Sequence, residues 1–365
     1  MSVKESVLVA GGGPAGLAAA IALRQRGFPV TVADAAHPPV DKACGEGIAP
    51  IGLHALSRLG VELEGYGFPF HGVRFVDGPF TVEAPFPSTA GLGIRRTVLH
   101  ALLMRRAEAL GVRFAWGKTV ANLSATPSHW LIAADGLNSS VRKAAGLDVS
   151  PHISTRFGFR RHYRVPPWTG MVEVHWQRAA QLYVTPVSDS EVGVALLTRD
   201  THLRLSAALR ACPVLDEKLR GAEPVTAERG SPTITRRLRS VFRGNTILVG
   251  DASGSVDAIT GEGLSLCFVQ ALALAEALHA GDLESYAQSH RQSARYPTLL
   301  ARALLLLDAA PWLRPAVWTI GAHAPAVVAH VMAQYQPAGA GAASGITRVP
   351  GTCLPPCSRG SFRLP

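Results

Sequence analysis

A glycine-rich segment near the start of the chain has the residue types and spacing of a phosphate-binding turn. The segment GGGPAG fits the pattern G-x-G-x-x-G. Gly11 allows a tight turn, Gly13 lets the backbone approach a pyrophosphate, and Gly16 lets the following helix pack close to the preceding strand. That helix would start at Pro14 and Ala15, with its N-terminus facing the negative charge of the phosphates.

The surrounding sequence supplies the strand, helix and acid that such a turn requires. The apolar run VLVA precedes the glycines, the Ala- and Leu-rich segment AGLAAAIALRQRG follows them, and VTVAD then reads as a second strand. That strand ends at Asp34, 18 residues after Gly16. A carboxylate at this point can accept the hydroxyls of an unphosphorylated ribose, as in NAD or in the ADP half of FAD.

Two later segments carry an aspartate beside a glycine at the end of an apolar strand. One is LIAADGLNSSVRKAAGL, which contains Asp135, and the other is NTILVGDASGSVDAITGEGLSL, which contains Asp251, Gly261, Gly263 and Leu264. Together with the N-terminal glycines, and in the same order, they resemble the fingerprints of the class A FAD-dependent monooxygenases and oxidoreductases, the p-hydroxybenzoate hydroxylase-like group.

That resemblance, which covers about residues 5–335, implies FAD as the bound cofactor and NAD(P)H as a transient reductant. In the family, the aspartate at the position of Asp251 contacts the ribityl or pyrophosphate region of FAD. Backbone N–H groups from Gly261 to Leu264 are implied to face the isoalloxazine ring from a helix N-terminus. A helix end of this kind stabilises the negative charge of the reduced ring.

Three further cofactor contacts follow from the same resemblance. Arg96, with Arg95 as its register alternative, is implied to place a guanidinium against the pyrophosphate. The backbone at Val120 is implied to contact adenine. Asp135 belongs to the second fingerprint and is expected at the cofactor as well.

The loop DKACGEGIAP resembles the geranylgeranyl-reductase-like branch of this group, in which a Cys-Gly pair lies beside the flavin. Cys44 is therefore a candidate catalytic group, and Gly47 a candidate cofactor contact. The alternative for Cys44 is a small residue in a tight loop. Glu46 either orients a ring or substrate or is solvated.

The chain departs from these relatives in several places. Reductases of isoprenoid double bonds carry Y-x-W-x-F-P, where this chain has Tyr183-Val184-Thr185-Pro186, and no two of its six tryptophans fit the W-x-W-x-I-P of flavin halogenases. The segment ANLSATPSHWLIA is shorter than the hairpin of relatives, which predicts a trimmed FAD domain and weaker cofactor binding. The arginine that usually follows the ribose acid is Ala36 here.

The order of elements predicts an α/β protein. We expect a Rossmann-like FAD-binding domain of the glutathione-reductase type, with an inserted antiparallel-sheet substrate domain and C-terminal helices. Alternating strands such as MVEVHW and QLYVTPV indicate the inserted sheet. The predicted boundaries are 1–70, 94–150 and 236–282 for the FAD-binding parts, 71–93 and 151–235 for the substrate sheet, 283–335 for the C-terminal helices and 336–365 for a disordered tail.

Aromatic residues on the inserted sheet favour an apolar substrate. The candidates for its pocket are Phe159, Trp176 and Tyr183, covered by the apolar segment ARALLLLDAAPWL. This predicts an aromatic, polyketide-like or quinone-like small molecule, although the same residues could form ordinary core. His162 and His175 are expected to be packed histidines rather than bases, and no His or Cys spacing fits a metal site.

Three functions are compatible with these features. The leading hypothesis is an NAD(P)H-dependent monooxygenase that hydroxylates the apolar substrate, because the flavin carries the redox chemistry and no acid–base dyad is evident. The alternative is an FAD-dependent reductase of C=C bonds in isoprenoid or lipid chains, favoured by the Cys44 loop. The third is a catalytically inactive flavin-binding protein, favoured by the short hairpin.

Composition indicates which kinds of partner the protein binds and in which compartment it lies. The formal net charge is +10 without a run of five basic residues, which favours small phosphates, nucleotides or anionic lipid over nucleic acid. Five cysteines and the absence of a signal-like N-terminus predict the reducing cytoplasm. Residues 316–333 lack Asp, Glu, Lys and Arg, which predicts a buried helix pair and leaves peripheral membrane contact through the C-terminal helices as the alternative. The oligomeric state is not predicted.

Overall fold

A computed structural model describes residues 4–120, 128–148 and 152–337 of the chain. Within these ranges the protein is a mixed α/β fold, with helices packed on a mostly parallel sheet and on a second, mostly antiparallel one. The predicted fold class is confirmed. Most of the predicted short hairpin, at residues 121–127, and the predicted tail from residue 338 lie outside the described residues.

The first sheet is built from the N-terminal segment and from two later returns of the chain. Its strands are β1 (Val7–Ala10), β2 (Val30–Asp34), β8 (Arg113–Trp116), β9 (Trp130–Ala133), β16 (Phe242–Arg243) and β17 (Thr246–Leu248). They lie in the order β16-β17-β9-β1-β2-β8, and every neighbouring pair except β16 and β17 is parallel. The central strand β1 is apolar throughout because helices cover both faces of a parallel sheet.

Helices around this sheet form the main hydrophobic core. They are α1 (Pro14–Gln25), α2 (Pro50–Arg58), α3 (Arg96–Ala109), α4 (Ser140–Ala144) and α7 (Gly263–Ala280). The helix α1 packs against both α3 and α7, with Leu17, Ile21 and Phe268 fully buried. Its start at Pro14 is favourable because the first helical position needs no N–H donor. The glycine turn therefore sits between β1 and a helix held firmly by its neighbours.

The second sheet carries the inserted strands. They are β5 (Gly72–Asp77), β6 (Phe80–Pro85), β10 (His152–Arg164), β11 (Val172–Gln177), β12 (Ala180–Ser188), β13 (Glu191–Thr198), β14 (Glu223–Pro224) and β15 (Arg229–Arg236). Their order is β14-β10-β13-β12-β11-β5-β6, with β15 on β10, and only β11 and β5 pair in parallel. A small third sheet has the order β3-β7-β4 and consists of β3 (Gly47–Ile48), β4 (Phe68–Phe70) and β7 (Gly91–Gly93).

Different helices cover the two faces of the second sheet. On one face, α5 (Leu205–Arg210) and α6 (Pro213–Lys218) pack on Leu182, Val194 and Leu196. On the other face lie α8 (Leu283–Ala309), α9 (Arg314–His323) and α10 (Pro325–Ala333). Residues of α8 and α9 contact Val174, Trp176 and Leu197 on that face. Period-two alternation along each strand thus separates a face toward α5 and α6 from a face toward α8.

The expectation of a buried pair for residues 316–333 is wrong. In α9 and α10 only Arg314, Trp318 and Met332 are buried, because no further layer of the described chain packs over these helices. Two stretches have the length and composition to cross a membrane: α7, which is largely enclosed in the core, and the segments 311–323 and 325–333 taken together, which are bent by 92°.

Candidate functional site

A cavity of about 1650 Å³ lies between the carboxyl ends of the first sheet and the α8 face of the second sheet. Ordinary small-ligand sites enclose roughly 300–1,000 Å³, so this space can hold a large ligand and a second, smaller one. Most of the residues singled out from the sequence line it: Gly11, Gly13, Pro14, Ala15, Asp34, Cys44, Gly47, Arg96, Val120, Asp135, Phe159, Tyr183, Asp251, Gly261, Gly263 and Leu264.

The glycine turn is packed so closely that side chains are excluded from it. Gly11 has φ of +110°, and a Cβ there would lie 2.3 Å from the carbonyl oxygen of Ala134. A Cβ on Gly16 would lie 1.9 Å from the carbonyl oxygen of Gly11. Gly16 does not line the cavity and instead brings α1 against the turn, as the motif requires. The turn thus leaves backbone, rather than side chains, facing the cavity.

Two side chains fix the turn from behind. The backbone N–H of Gly12 donates to Oδ2 of Asp34 at 2.6 Å, and that of Ala36 donates to Oδ1 at 2.8 Å, which holds this carboxylate at the end of β2. His100, fully buried on α3, donates from Nε2 to the carbonyl oxygen of Gly12 at 2.8 Å. Burial lowers the pKa of His100, so the imidazole is neutral. Our sequence analysis missed this histidine, which lies one helical turn after Arg96.

Arg96, rather than its register alternative Arg95, faces the cavity. A guanidinium nitrogen of Arg96 lies 3.8 Å from the position that a Cβ on Gly13 would take, and its Nε is buried without a partner among the described residues. Arg95 instead forms an ion pair with Glu191 at 3.3 Å. A positive charge therefore stands beside the glycine turn, where a pyrophosphate would need one.

The two later fingerprints meet directly beside the glycine turn. Arg142, fully buried, donates to the carbonyl oxygens of Leu137 and Ala252 and so ties the two segments together. Oδ2 of Asp135 accepts the N–H of Ser140 at 2.8 Å, whereas its Oδ1 is buried and has no partner in the described chain. Asp251 is exposed to the cavity.

The start of α7 has the same incomplete hydrogen bonding. A Cβ on Gly261 or Gly263 would meet nothing within 4 Å, so the backbone there faces open space. Glu262 is buried, its Oε2 has no partner in the described part of the chain, and burial raises its pKa to about 8. Buried polar atoms are normally paired. Arg96 and Asp135 line the cavity, so their unpaired atoms fit a large ligand with a charged linker, as FAD is.

The loop before β3 brings a carboxylate into contact with the second sheet. Glu46 is buried in a left-handed conformation with φ of +61°. Its Oε1 accepts the backbone N–H of Arg96 at 2.8 Å, and its Oε2 accepts Nε2–H of His162 at 2.5 Å. Of the two roles proposed for Glu46, the solvated one is therefore wrong, because this carboxylate is buried and fully paired. Strain of this kind in a non-glycine residue is concentrated at functional sites.

His162 belongs to a directional chain of hydrogen bonds. Arg160 donates to Nδ1 of His162 at 3.0 Å, so Nδ1 is an acceptor. The ring proton is therefore on Nε2, which donates the hydrogen bond to Glu46. Arg160 also donates to Asp41 at 2.5 Å and lines the cavity. No spacing in the sequence predicts this cluster, because Glu46 and His162 are far apart along the chain and meet only in the fold.

Cys44 lines the cavity and is half-buried. Burial raises the pKa of its thiol, and the backbone N–H of Glu46 donates to Sγ at 3.4 Å. The thiol is therefore protonated at neutral pH and is a proton donor rather than a thiolate nucleophile.

The three residues predicted to line a substrate pocket have different positions. Tyr183 borders the cavity and donates its hydroxyl to the carbonyl oxygen of Ile259 at 2.8 Å. Phe159 touches the cavity, but its ring lies on the α5 side of the sheet beneath the guanidinium of Arg204. Trp176 is outside the cavity wall, because α9 covers it and its indole packs against Trp318. The expectation for Trp176 is thus wrong.

Comparison with known proteins identifies the family. The family described as "FAD binding domain" matches residues 4–288. The chain is 28% identical to menaquinone reductase of Mycolicibacterium smegmatis, over 82% of this chain and 81% of that protein. It is also 28% identical to the putative FAD-dependent monooxygenase YetM of Bacillus subtilis, over 77% of this chain and 87% of that protein.

A solved structure shares the fold at lower sequence identity. The p-nitrophenol 4-monooxygenase PnpA of Pseudomonas putida superposes with a TM-score of 0.75 at 18% identity, covering 91% of this chain and 97% of that one. The glycine turn, the unpaired polar groups of the cavity and the family match agree with one another. The chain belongs to the FAD binding domain family and is an FAD-dependent oxidoreductase.

Proposed function

We propose that this enzyme is an NAD(P)H-dependent monooxygenase that hydroxylates an electron-rich aromatic small molecule with an apolar part. The observation that carries the proposal is the shape of the cavity beyond the cofactor residues. The cavity continues along the second sheet past Arg160, Tyr183 and Leu197, and reaches Ala301 and Leu305 of α8. A charged end beside the Glu46 loop and an apolar end beside α8 suit a ring with an ionisable hydroxyl and a hydrocarbon portion.

In this proposal the cofactor residues divide the length of FAD between them. Asp34 accepts the ribose hydroxyls, and Arg96 with the glycine turn neutralises the pyrophosphate. Asp251 accepts hydrogen bonds from the polar linker, and the N-terminus of α7 at Gly263 faces the ring. When bound, FAD supplies the redox chemistry by which NAD(P)H and O₂ are used to oxygenate the substrate.

The Arg160 cluster acts on the substrate rather than on the cofactor. A guanidinium at the cavity wall favours the ionised form of a phenol, since an opposite charge nearby stabilises the anion. The phenolate is the more electron-rich form and is therefore the better acceptor of oxygen. The hydrogen bonds from Arg160 to His162 and from His162 to Glu46 hold the guanidinium in place, and Nε of Arg160 lies 4.0 Å from Glu46.

A second candidate function is reduction of C=C bonds in an isoprenoid chain. It is favoured by the likeness to menaquinone reductase and by the protonated thiol of Cys44 in the cavity wall. Saturation of a C=C bond requires a hydride and a proton, and the thiol of Cys44 could supply the proton. The apolar end of the cavity beside Leu305 would hold the chain.

One experiment separates the two candidates. The purified enzyme is incubated with NAD(P)H and a mixture of alkylated phenols and isoprenoid quinones, once under ¹⁸O₂ and once without oxygen. Hydroxylation predicts a product that carries one ¹⁸O atom and forms only with oxygen. Reduction predicts a product heavier by two hydrogens that also forms without oxygen. NAD(P)H oxidation that yields only hydrogen peroxide with every substrate would contradict both.

A further inference from the structure

The large exposed apolar side chains are concentrated in the last helices. The two most exposed large apolar side chains in the described chain are Trp312, which is 77% exposed, and Leu299, which is 65% exposed. The same stretch contains four more, namely Leu306, Val317, Ile320 and Val327. Elsewhere in the described chain only Tyr66 and Val214 have comparable exposure. A contiguous apolar surface on a folded protein marks an interaction site.

These side chains share one surface. In α8, α9 and α10 the buried residues, such as Leu304, Leu307 and Trp318, contact the second sheet. The exposed ones lie on other sides of the same helices. We call the outward residues of α8 to α10 the outer helical surface.

Beyond Glu284 in the first turn of α8, the charge of the outer helical surface is positive. Arg291, Arg295, Leu299, Arg302 and Leu306 are exposed and follow helical spacing, so they form one stripe along α8. None of the three arginines has an acidic partner in the described parts of the chain.

Acidic side chains are almost missing from this part of the sequence. Residues 285–337 contain a single acid, Asp308, which is buried and lies within 3.8 Å of Arg156 and 3.5 Å of Arg199. No acidic side chain in that stretch therefore offsets the arginine stripe.

The cavity opens at this surface. Leu299 and Arg302 belong to the exposed stripe, and both also line the cavity, together with Leu305 behind them. A ligand that entered beside α8 would pass between an apolar and a cationic side chain. The outer helical surface is thus continuous with the apolar end of the cavity.

We propose that the outer helical surface docks on an anionic lipid bilayer, with the mouth of the cavity beside α8 turned toward the lipid. Basic and apolar groups on one face are the combination that binds anionic membrane surfaces. Trp312 suits the boundary between headgroups and hydrocarbon. The helices α9 and α10 have 10 and 9 residues and are bent against each other by 92°, so they lie along the interface instead of spanning it.

Charge argues against the other occupants of this surface. A second copy docked symmetrically would bring the arginine stripe against itself, which is repulsive. The C-terminal residues 338–365 carry Arg348, Arg359 and Arg363 and no acid, so they would be repelled in the same way. The proposal is independent of which of the two reactions the enzyme catalyses.

Vesicle flotation of the full-length, FAD-loaded enzyme tests the proposal. We expect it to float with vesicles in which a third of the phosphatidylcholine is replaced by phosphatidylglycerol, to float less with pure phosphatidylcholine, and to be released by high salt. Replacing Arg291, Arg295 and Arg302 with Gln should weaken binding to the anionic vesicles roughly a hundredfold, at about fivefold for each arginine. The double variant Trp312→Ser with Ile320→Ser should weaken binding to both kinds of vesicle.

Matched controls come from other surfaces of the chain. Replacing the exposed Arg113, Arg210 and Arg220 with Gln makes the same change of net charge, and Val214→Ser removes an exposed apolar side chain from α6. The melting temperature confirms that each variant is folded. The proposal is overturned if the wild type does not float, if the controls lose as much binding as the stripe variants, or if light scattering shows a dimer that Trp312→Ser with Ile320→Ser dissociates.

Discussion

Two clusters of buried polar side chains lie on opposite sides of the second sheet and differ in how completely they are paired. Beside the start of α7, Oε2 of Glu262 has no partner among the described residues, and at the cavity wall Oδ1 of Asp135 has none either. On the α5 side, Glu173 of β11 accepts hydrogen bonds from Arg74, Trp168 and His175 at 3.0–3.1 Å. Burial alone would raise the pKa of both carboxyls. It raises that of Glu262 to about 8, while the three donors lower that of Glu173 to about 2.

The difference shows which cluster is built for a ligand. We call Arg74, Trp168, Glu173, His175 and Cys212 the β11 network. Cys212 Sγ lies 3.9 Å from Nδ1 of His175, so Cys, His and Glu stand in the order of a nucleophilic triad. None of the three lines the large cavity, and the carboxylate of Glu173 is paired by three donors. The polar groups of the β11 network pair with one another and hold β5, β11 and α6 together, whereas polar groups at the cavity have no partner in the described chain and can bind a ligand.

The largest expected effect comes from the glycine turn. In Gly16→Ala the new methyl group would lie 1.9 Å from the carbonyl oxygen of Gly11, so α1 must move away from the turn. We expect loss of FAD binding and destabilisation above the ~1–3 kcal/mol that is typical of overpacking. Chemical denaturation and flavin content measure both quantities.

Gly263→Ala is the matched control for that change. Its methyl group would meet no protein atom within 4 Å. The free energy of unfolding of the apoprotein should therefore change by less than about 1 kcal/mol, while FAD binding weakens because the methyl group occupies the cofactor space. If Gly16→Ala retains full flavin content, the turn is not the cofactor contact that we infer.

The next largest effect is expected in the β11 network. Glu173→Gln removes the charge that balances Arg74 and His175, and leaving a buried charge unpaired costs about 3–5 kcal/mol. In the wild type, the folded-state pKa of Glu173 is about 2, below the ordinary 4.5. The stabilisation that the Glu173 carboxylate gives the folded state is therefore present above pH 4.5 and is lost as the pH falls toward 2. The variant should lack that part of the acid-induced loss and should keep its FAD.

Urea denaturation between pH 3 and pH 7, with flavin content measured alongside, tests this prediction. Glu83→Gln, which removes the exposed partner of the same Arg74, is the control and should cost less than about 1 kcal/mol. Equal losses in the two variants, or loss of FAD in Glu173→Gln, would show that the β11 network does not have the separate structural role assigned to it.

Glu262 should respond to pH in the opposite direction. Its folded-state pKa of about 8 lies above the ordinary 4.5, so the folded apoprotein holds a proton that the unfolded chain loses between these values. Stability therefore falls as the pH rises from 4.5 to 8, by up to about 1.4 kcal/mol per pH unit. Glu262→Gln, which cannot ionise, should match the wild type near pH 4.5 and exceed its stability by about 3 kcal/mol at pH 7.

Unfolding of the apoprotein at a series of pH values measures this gap. The exposed Glu284→Gln is the control and should show no gap that grows with pH. A constant difference between Glu262→Gln and the wild type across the series would mean that Glu262 is ionised in the folded state and has a partner.

The two regions also differ in how far the sequence could predict them. The cofactor side is local, because Gly11, Asp34 and Asp251 each stand at the end of a strand whose pattern is readable, and parallel strands bring such ends to one edge. The clusters of the second sheet depend on pairing between distant segments. Glu46 meets His162 and His175 meets Cys212 only after the sheet has formed, and no spacing in the chain predicts either contact.

The two predictions that the structure contradicts have the same origin. Trp176 and residues 316–333 were assigned from apolar character alone, which does not say which face of a sheet a residue occupies or whether a further layer covers a helix. Alternation places Trp176 under α9, and α9 and α10 form the outermost layer of the described chain.

The smallest effect concerns the cavity itself and compares two of its lining residues. Asp251→Ala removes an acceptor for the polar linker of FAD, so it should weaken FAD binding by about 1–3 kcal/mol, or roughly fivefold to 150-fold. Cys44→Ala removes a neutral thiol and should change FAD affinity less, because a protonated thiol is a weak hydrogen-bonding group. Its effect should fall on turnover or on the position of the substrate. Titration of the two apoproteins with FAD, followed by fluorescence quenching, gives both affinities. The opposite result would be loss of FAD in Cys44→Ala and retention of FAD in Asp251→Ala. It would show that the Cys44 loop holds the cofactor and that the segment around Asp251 does not.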